Sequence, residues 1–112
     1  MPRITTLVLK GASGKTYEFE VYSADSNWND GIACVYYVSH RTVGKDGTGS
    51  HAHIYVGETD DLKERHSGHH RQKCFEREGY NCISVLRESN AEARLRIERD
   101  LIDSLDPPCN RE

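Results

Sequence analysis

The residue that calls most directly for a chemical explanation is a carboxylate on an apolar helical stripe. Residues 91–105 carry apolar side chains at helical spacing, and the stripe Ala91, Leu95, position 98, Ile102, Leu105, widened by Leu101, has Glu98 at its centre. Glu92, Asp100 and Asp103 fall off that stripe and read as solvated. A buried carboxylate without partners is costly, so Glu98 is either half of a structural ion pair with a neighbouring Arg or Lys, or a metal ligand or acid–base group in a cleft. Arg65 and His69 are four residues apart and would share one face of a helix. A guanidinium and an imidazole projecting together suit a phosphate, the first with bidentate donors and the second with a transferable proton. His66 and His70 beside them could suggest a metal, but three histidines on a short helix without a carboxylate pattern read as surface. Gly11-Ala12-Ser13-Gly14-Lys15-Thr16 sounds like a phosphate-binding loop, yet Leu9 stands where the first glycine is needed and a strand follows. It reads as a hairpin turn.

These residues must be held by a small α+β framework. Residues 4–10 and 16–22 are β-branched and aromatic runs forming a hairpin, and residues 23–31 are a polar connection. Residues 32–39 read as a buried strand with paired tyrosines, and residues 40–53, with Gly44, Gly47 and Gly49, as a long mobile hairpin loop. Residues 54–57 are then the return strand. A helix is expected over 60–73, with Asp60 and Asp61 in its first turn, and a third strand of the same sheet over 82–86. Ser89-Asn90-Ala91-Glu92 fits a capping box that opens the last helix, stopped near Leu105 by Asp106-Pro107-Pro108. The fold class is α+β: a small antiparallel central sheet flanked by helices, with an extra N-terminal β-hairpin. Residues 1–31 form the hairpin and connection, residues 32–112 the main body, and together one compact domain.

Composition agrees with one modest core. The chain has 112 residues, 36% of them hydrophobic, and 15 Lys plus Arg against 18 Asp plus Glu for a net charge of −3. Such acidity argues against coating nucleic acid through bulk charge but leaves room for a local basic face. No apolar run is long enough to span a membrane. Met1-Pro2-Arg3-Ile4 opens straight into a strand-like pattern, so a cytoplasmic protein is expected. Cys34, Cys74, Cys82 and Cys109 contain no C-x-x-C pair, which disfavours a zinc ribbon, and they are expected to stay reduced as small buried hydrophobes.

Taken together, residues 34–110 resemble the GIY-YIG nuclease family. Cys34-Val35-Tyr36 and Tyr55-Val56-Gly57 look like its two name motifs on successive strands. Thr59, Leu62, Arg65 and His69 match the hydroxyl, packing leucine, arginine and later histidine that follow. Glu98-Arg99-Asp100-Leu101-Ile102 resembles its glutamate helix, and residues 107–110 its closing segment. The resemblance implies phosphodiester hydrolysis in DNA, RNA being the lesser expectation, with a single divalent cation, Mg²⁺ or Mn²⁺, held by Glu98. It gives Arg65 the charge growing on the phosphate, Tyr36 or Tyr55 the proton of the attacking water, His69 the role of a second base or phosphate contact, and Asn110 the site floor. Thr59, Arg41 and Lys45 are expected to touch substrate. With no appended DNA-binding domain, the 40–53 loop, a protein partner or a homodimer must supply affinity. Glu58 stands where a basic residue is usual, and a carboxylate there would repel a phosphate. That motivates the alternative reading, a GIY-YIG-fold binding or interaction module of weak or no activity.

Overall fold

A computed structural model of the chain describes residues 3–111; Met1, Pro2 and Glu112, and with them the opening and closing positions of the sequence reading, lie outside the described residues. Five antiparallel strands form one sheet in the order β1-β2-β5-β3-β4: β1 (Thr5–Lys10), β2 (Thr16–Ser23), β3 (Cys34–Val43), β4 (Gly49–Thr59) and β5 (Cys82–Arg87). The N-terminal hairpin is therefore part of the central sheet, through β2 against β5. Three helices, α1 (Leu62–Ser67), α2 (Gln72–Arg77) and α3 (Ala91–Leu105), and a 3-10 turn at Pro108–Asn110 complete the α+β fold.

Alternation along β3 sorts the core into two layers. Cys34, Tyr36 and Val38 face Leu62 and Phe75 of α1 and α2. Val35 and Tyr37 face Leu101 of α3. The register of β3 against β4 shifts at Val38/Ser39, where Val38 pairs with Tyr55 and Ser39 with His53. Ile54 is the extra residue, and this bulge brings Ile54 and Tyr55 into the same core layer as Tyr36.

Several sequence expectations are corrected here. Residues 40–53 are not a long loop: both strands continue through them, and the turn is confined to residues 44–48, with Gly47 at φ 85°. The helix expected over 60–73 is two short helices, because the chain breaks at Gly68 and turns His69 inward before α2 begins. Asp61, not Asp60, caps α1 by accepting from the Glu64 amide. The cap of α3 is Asn90, one residue past the expected Ser89, with Oδ1 accepting from Ala93 N at 2.9 Å. The inward face of α3 is rotated accordingly: Arg94 is buried, Ile97 and Leu101 pack inward, and Leu95 is 54% exposed. Glu98 is thus half-buried at the margin of the apolar face rather than at its centre.

Asp100, off the apolar stripe and open to solvent as expected, also fastens the hairpin. Its carboxylate accepts from Ser13 N, Ser13 Oγ and Tyr17 Oη at 2.7–2.8 Å, and a Cβ on Gly11 would collide with it. The expectation of four reduced thiols also fails. Cys74 of α2 and Cys109 of the 3-10 turn form a disulfide, while Cys34 and Cys82 remain free and buried. Disulfides persist in oxidising surroundings, so the cysteines no longer argue for the cytoplasm. Among the described residues no helix is long and apolar enough to cross a membrane.

Candidate functional site

Tyr36 on β3 and Tyr55 on β4 lie side by side, ring centroids 6.0 Å apart, because Gly57 opposite Tyr36 has no side chain. A Cβ on Gly57 would sit 2.5 Å from the Tyr36 Oη and 2.8 Å from the Tyr55 ring, so glycine is required by close approach. His69 closes the group edge-on to both tyrosines, at centroid distances of 5.8 and 5.1 Å, with Phe75 and the stacked ring of His70 behind it.

The hydrogen bonds give this cluster a direction. His69 Nδ1 accepts from the Arg71 amide at 3.0 Å. Burial, aided by the positive surroundings of His70 and Arg65, lowers the His69 pKa to about 4, so the ring is neutral near pH 7 and carries its proton on Nε2. That N–H donates to Tyr36 Oη at 2.6 Å, and Tyr36 in turn bonds the Tyr55 hydroxyl. His69 therefore uses both ring nitrogens to hold Tyr36. It is not set up as a base. It also does not share a helical face with Arg65, because α1 ends at Ser67, and at 8% exposure it is not surface either.

Burial pushes both phenols up, Tyr36 far more than Tyr55. At Tyr55 the charge of Glu98 adds to the rise, while Arg71, the bond from Tyr36 and Arg65 oppose it. Tyr55 is the end of the chain of donors and the more readily ionised of the two. Glu98 is itself raised, first by burial and then by the Glu58 charge, while the Arg99 charge, the Glu58 backbone and the Arg65 charge oppose the rise. Glu58 does not stand open to repel a phosphate. Arg94 Nε donates to it at 2.9 Å, and Arg94 Nη1 also reaches the carbonyls of Glu88 and Ser89.

The remaining sequence candidates take other positions. Asn110 spends its amide on Val56, accepting from its N–H and donating to its carbonyl at 2.8 and 2.9 Å, and so holds β4 beside Tyr55. The Thr59 hydroxyl makes the turn into α1 with Asp61 N and O. Arg41 shares the Tyr37 face of β3, opposite to Tyr36, and Lys45 sits in the turn about 30 Å along the strand from Tyr36 at ~3.3 Å per residue. Two arginines were not singled out from sequence. Arg94 reads there as one charge among many on α3, and Arg71 as a residue within a continuous helix. Arg71 has a buried Nε with no partner among the described residues, while its charge bears on Tyr55 and His69.

No group of three or more His, Cys, Asp or Glu side chains suited to a metal occurs among the described residues. With Glu58 claimed by Arg94, Glu98 forms no ion pair among the described residues, although the Arg99 and Arg65 charges bear on it. One carboxylate completed by water and substrate phosphate is a donor set that Mg²⁺ accepts. No protein-family model, curated protein or solved structure matches this chain.

Proposed function

We propose that the protein is a divalent-metal-dependent endonuclease of the GIY-YIG type, hydrolysing phosphodiester bonds in DNA ahead of RNA. The observation that carries this reading is the donor chain from His69 through Tyr36 to Tyr55, with the charges of Glu98 and Arg65 bearing on its end. Tyr55, as the phenolate left when its own proton passes to solvent, takes the proton of the attacking water as the water oxygen bonds phosphorus, and the departing sugar oxygen leaves and is protonated from solvent. Tyr36 donates to the Tyr55 oxygen and His69 donates to Tyr36, so the phenolate is stabilised by a pre-set line of donors. Arg65, exposed on α1, receives a non-bridging phosphate oxygen, and Arg71 adds positive charge near Tyr55. Glu98 would hold Mg²⁺ or Mn²⁺, which when bound supplies Lewis-acid stabilisation of the charge growing on the phosphate. Neutralising Glu98 also removes a charge that keeps Tyr55 protonated.

The Glu58–Arg94 pair withdraws the main motive for an inactive binding module. Cleavage of supercoiled plasmid and branched duplex with Mg²⁺ or Mn²⁺, beside the Glu98→Ala and Arg65→Ala proteins, tests the proposal. Metal-dependent nicking lost in both variants supports it. A wild-type protein that binds DNA at low salt but cuts neither substrate overturns it in favour of the binding module.

A further inference from the structure

The sheet face turned away from Tyr36 carries a second polar cluster that the proposed reaction does not use. Alternation along β3 and β4 places Tyr37, Ser39 and Arg41 on one face beside His51 and His53. Arg41 pairs with His51 across the strands and Ser39 with His53. Two hydroxyls hold the imidazoles: Tyr37 Oη lies 2.5 Å from His53 Nδ1, and Ser39 Oγ 2.8 Å from His51 Nδ1. Tyr37 and Ser39 are fully buried, so the rings stand on a rigid base, whereas His53 is exposed and His51 half-buried. The Arg41 guanidinium lies flat over Gly49, where a Cβ would come within 3.0 Å of Nε.

The cluster is short of acceptors. Arg41 forms no ion pair among the described residues, and its buried Nε has no partner there. Ser84, opposite Tyr37 on β5 and fully buried, has an unpartnered hydroxyl as well. Burial lowers both histidines, and the Arg41 charge lowers His51 further, so both rings are neutral near pH 7. The Tyr37 and Ser39 hydroxyls have no acceptor other than these Nδ1 atoms among the described residues, and with the hydroxyls as donors each neutral ring presents an Nε2–H. A permanent cation beside two N–H donors disfavours a metal ion and suits a tetrahedral oxyanion.

We propose that Arg41, His51 and His53 form a phosphate-binding site on the sheet face opposite the tyrosine pair. Its ligand is either the phosphodiester of a nucleic-acid strand or a free phosphate group. The site is independent of cleavage, so the Glu98→Ala protein should retain it. Histidine side-chain NMR signals followed during titration with inorganic phosphate, with a short DNA duplex and with Zn²⁺ provide the test. Phosphate moving the His51 and His53 signals, with binding about tenfold weaker in Arg41→Gln, is the expected result. Movement by duplex at far lower concentration than by phosphate identifies the nucleic-acid backbone, and response to phosphate alone identifies a small ligand. Signals unmoved by both, or moved by Zn²⁺ and not by phosphate, overturn the proposal. The wild-type titration decides even if Arg41→Gln folds poorly.

Discussion

The Arg71 amide donates to His69 Nδ1 at 3.0 Å, and this bond sets the direction in which the His69–Tyr36 hydrogen bond runs. With Nδ1 occupied as an acceptor, His69 supports Tyr36, and the proposed reaction takes Tyr55 as its base. Tyr55→Phe is therefore expected to lower cleavage by about 10²–10⁴-fold, the usual worth of a positioned base. Tyr36→Phe keeps the packing but loses the donor, and should cost less. His69 should appear in NMR as the Nε2–H tautomer across neutral pH. Its folded pKa of about 4 lies below the ordinary 6.5, so its contribution to stability is fully present above 6.5 and is lost as pH falls toward 4, amounting to about 3 kcal/mol. Urea midpoints for wild type and His69→Gln, compared through that window, check the sign.

Glu98 titrates in the opposite sense. Its folded pKa is raised above 4.5, so its contribution to stability is present below that value and is lost as pH rises through the folded value. Glu98→Gln should consequently be more stable than wild type near pH 7 and no different in acid, while losing cleavage. Adding Mg²⁺ should raise the melting temperature of wild type and leave the Gln variant where it was. A Gln variant less stable than wild type at pH 7 would show that Glu98 is held by a structural ion pair.

Arg94 and Glu58 form a pair whose side chains are 6% and 24% exposed. Arg94→Met strands a partly buried carboxylate beside Glu98 and removes donors from two backbone carbonyls, which is expected to destabilise by about 3 kcal/mol. Adding Glu58→Gln should restore a large part of that loss. A double-mutant cycle by denaturant unfolding measures the coupling.

Cys74 and Cys109 are 35 residues apart in sequence. Loop-closure entropy for such a span puts the loss on reduction at about 3–4 kcal/mol. Because Cys109 neighbours Asn110, which clasps Val56, reduction should also loosen β4 and lower cleavage more than binding. Unfolding and plasmid nicking with and without reductant separate the two effects.

The sequence made some of this legible and hid the rest for identifiable reasons. A continuous apolar run with paired tyrosines marks the strand that carries Tyr36, and period-two alternation with local turn chemistry marks the first hairpin. The identity of Glu98 stood out although its stripe was misread by one residue: Leu95 suggested an apolar face, while the true inward position, Arg94, is a charged side chain satisfied by groups distant in sequence. His69 was misplaced because helical spacing runs smoothly through Gly68. The continuation of both strands through residues 40–53 was obscured by glycines and charges that read as a loop, although Arg41 and His51 face each other across a ladder. The disulfide joins segments whose proximity depends on the fold and on no spacing rule.

One arrangement on β4 reaches beyond the reaction. This strand lies at the border of the sheet, where no further strand among the described residues takes up its outward backbone groups. The Asn110 amide covers both polar groups of Val56. Asn110 thereby occupies positions on Val56 that an added strand would use to extend the sheet. Substitution of Asn110 would uncover that border, and the solubility of the variant would change with it.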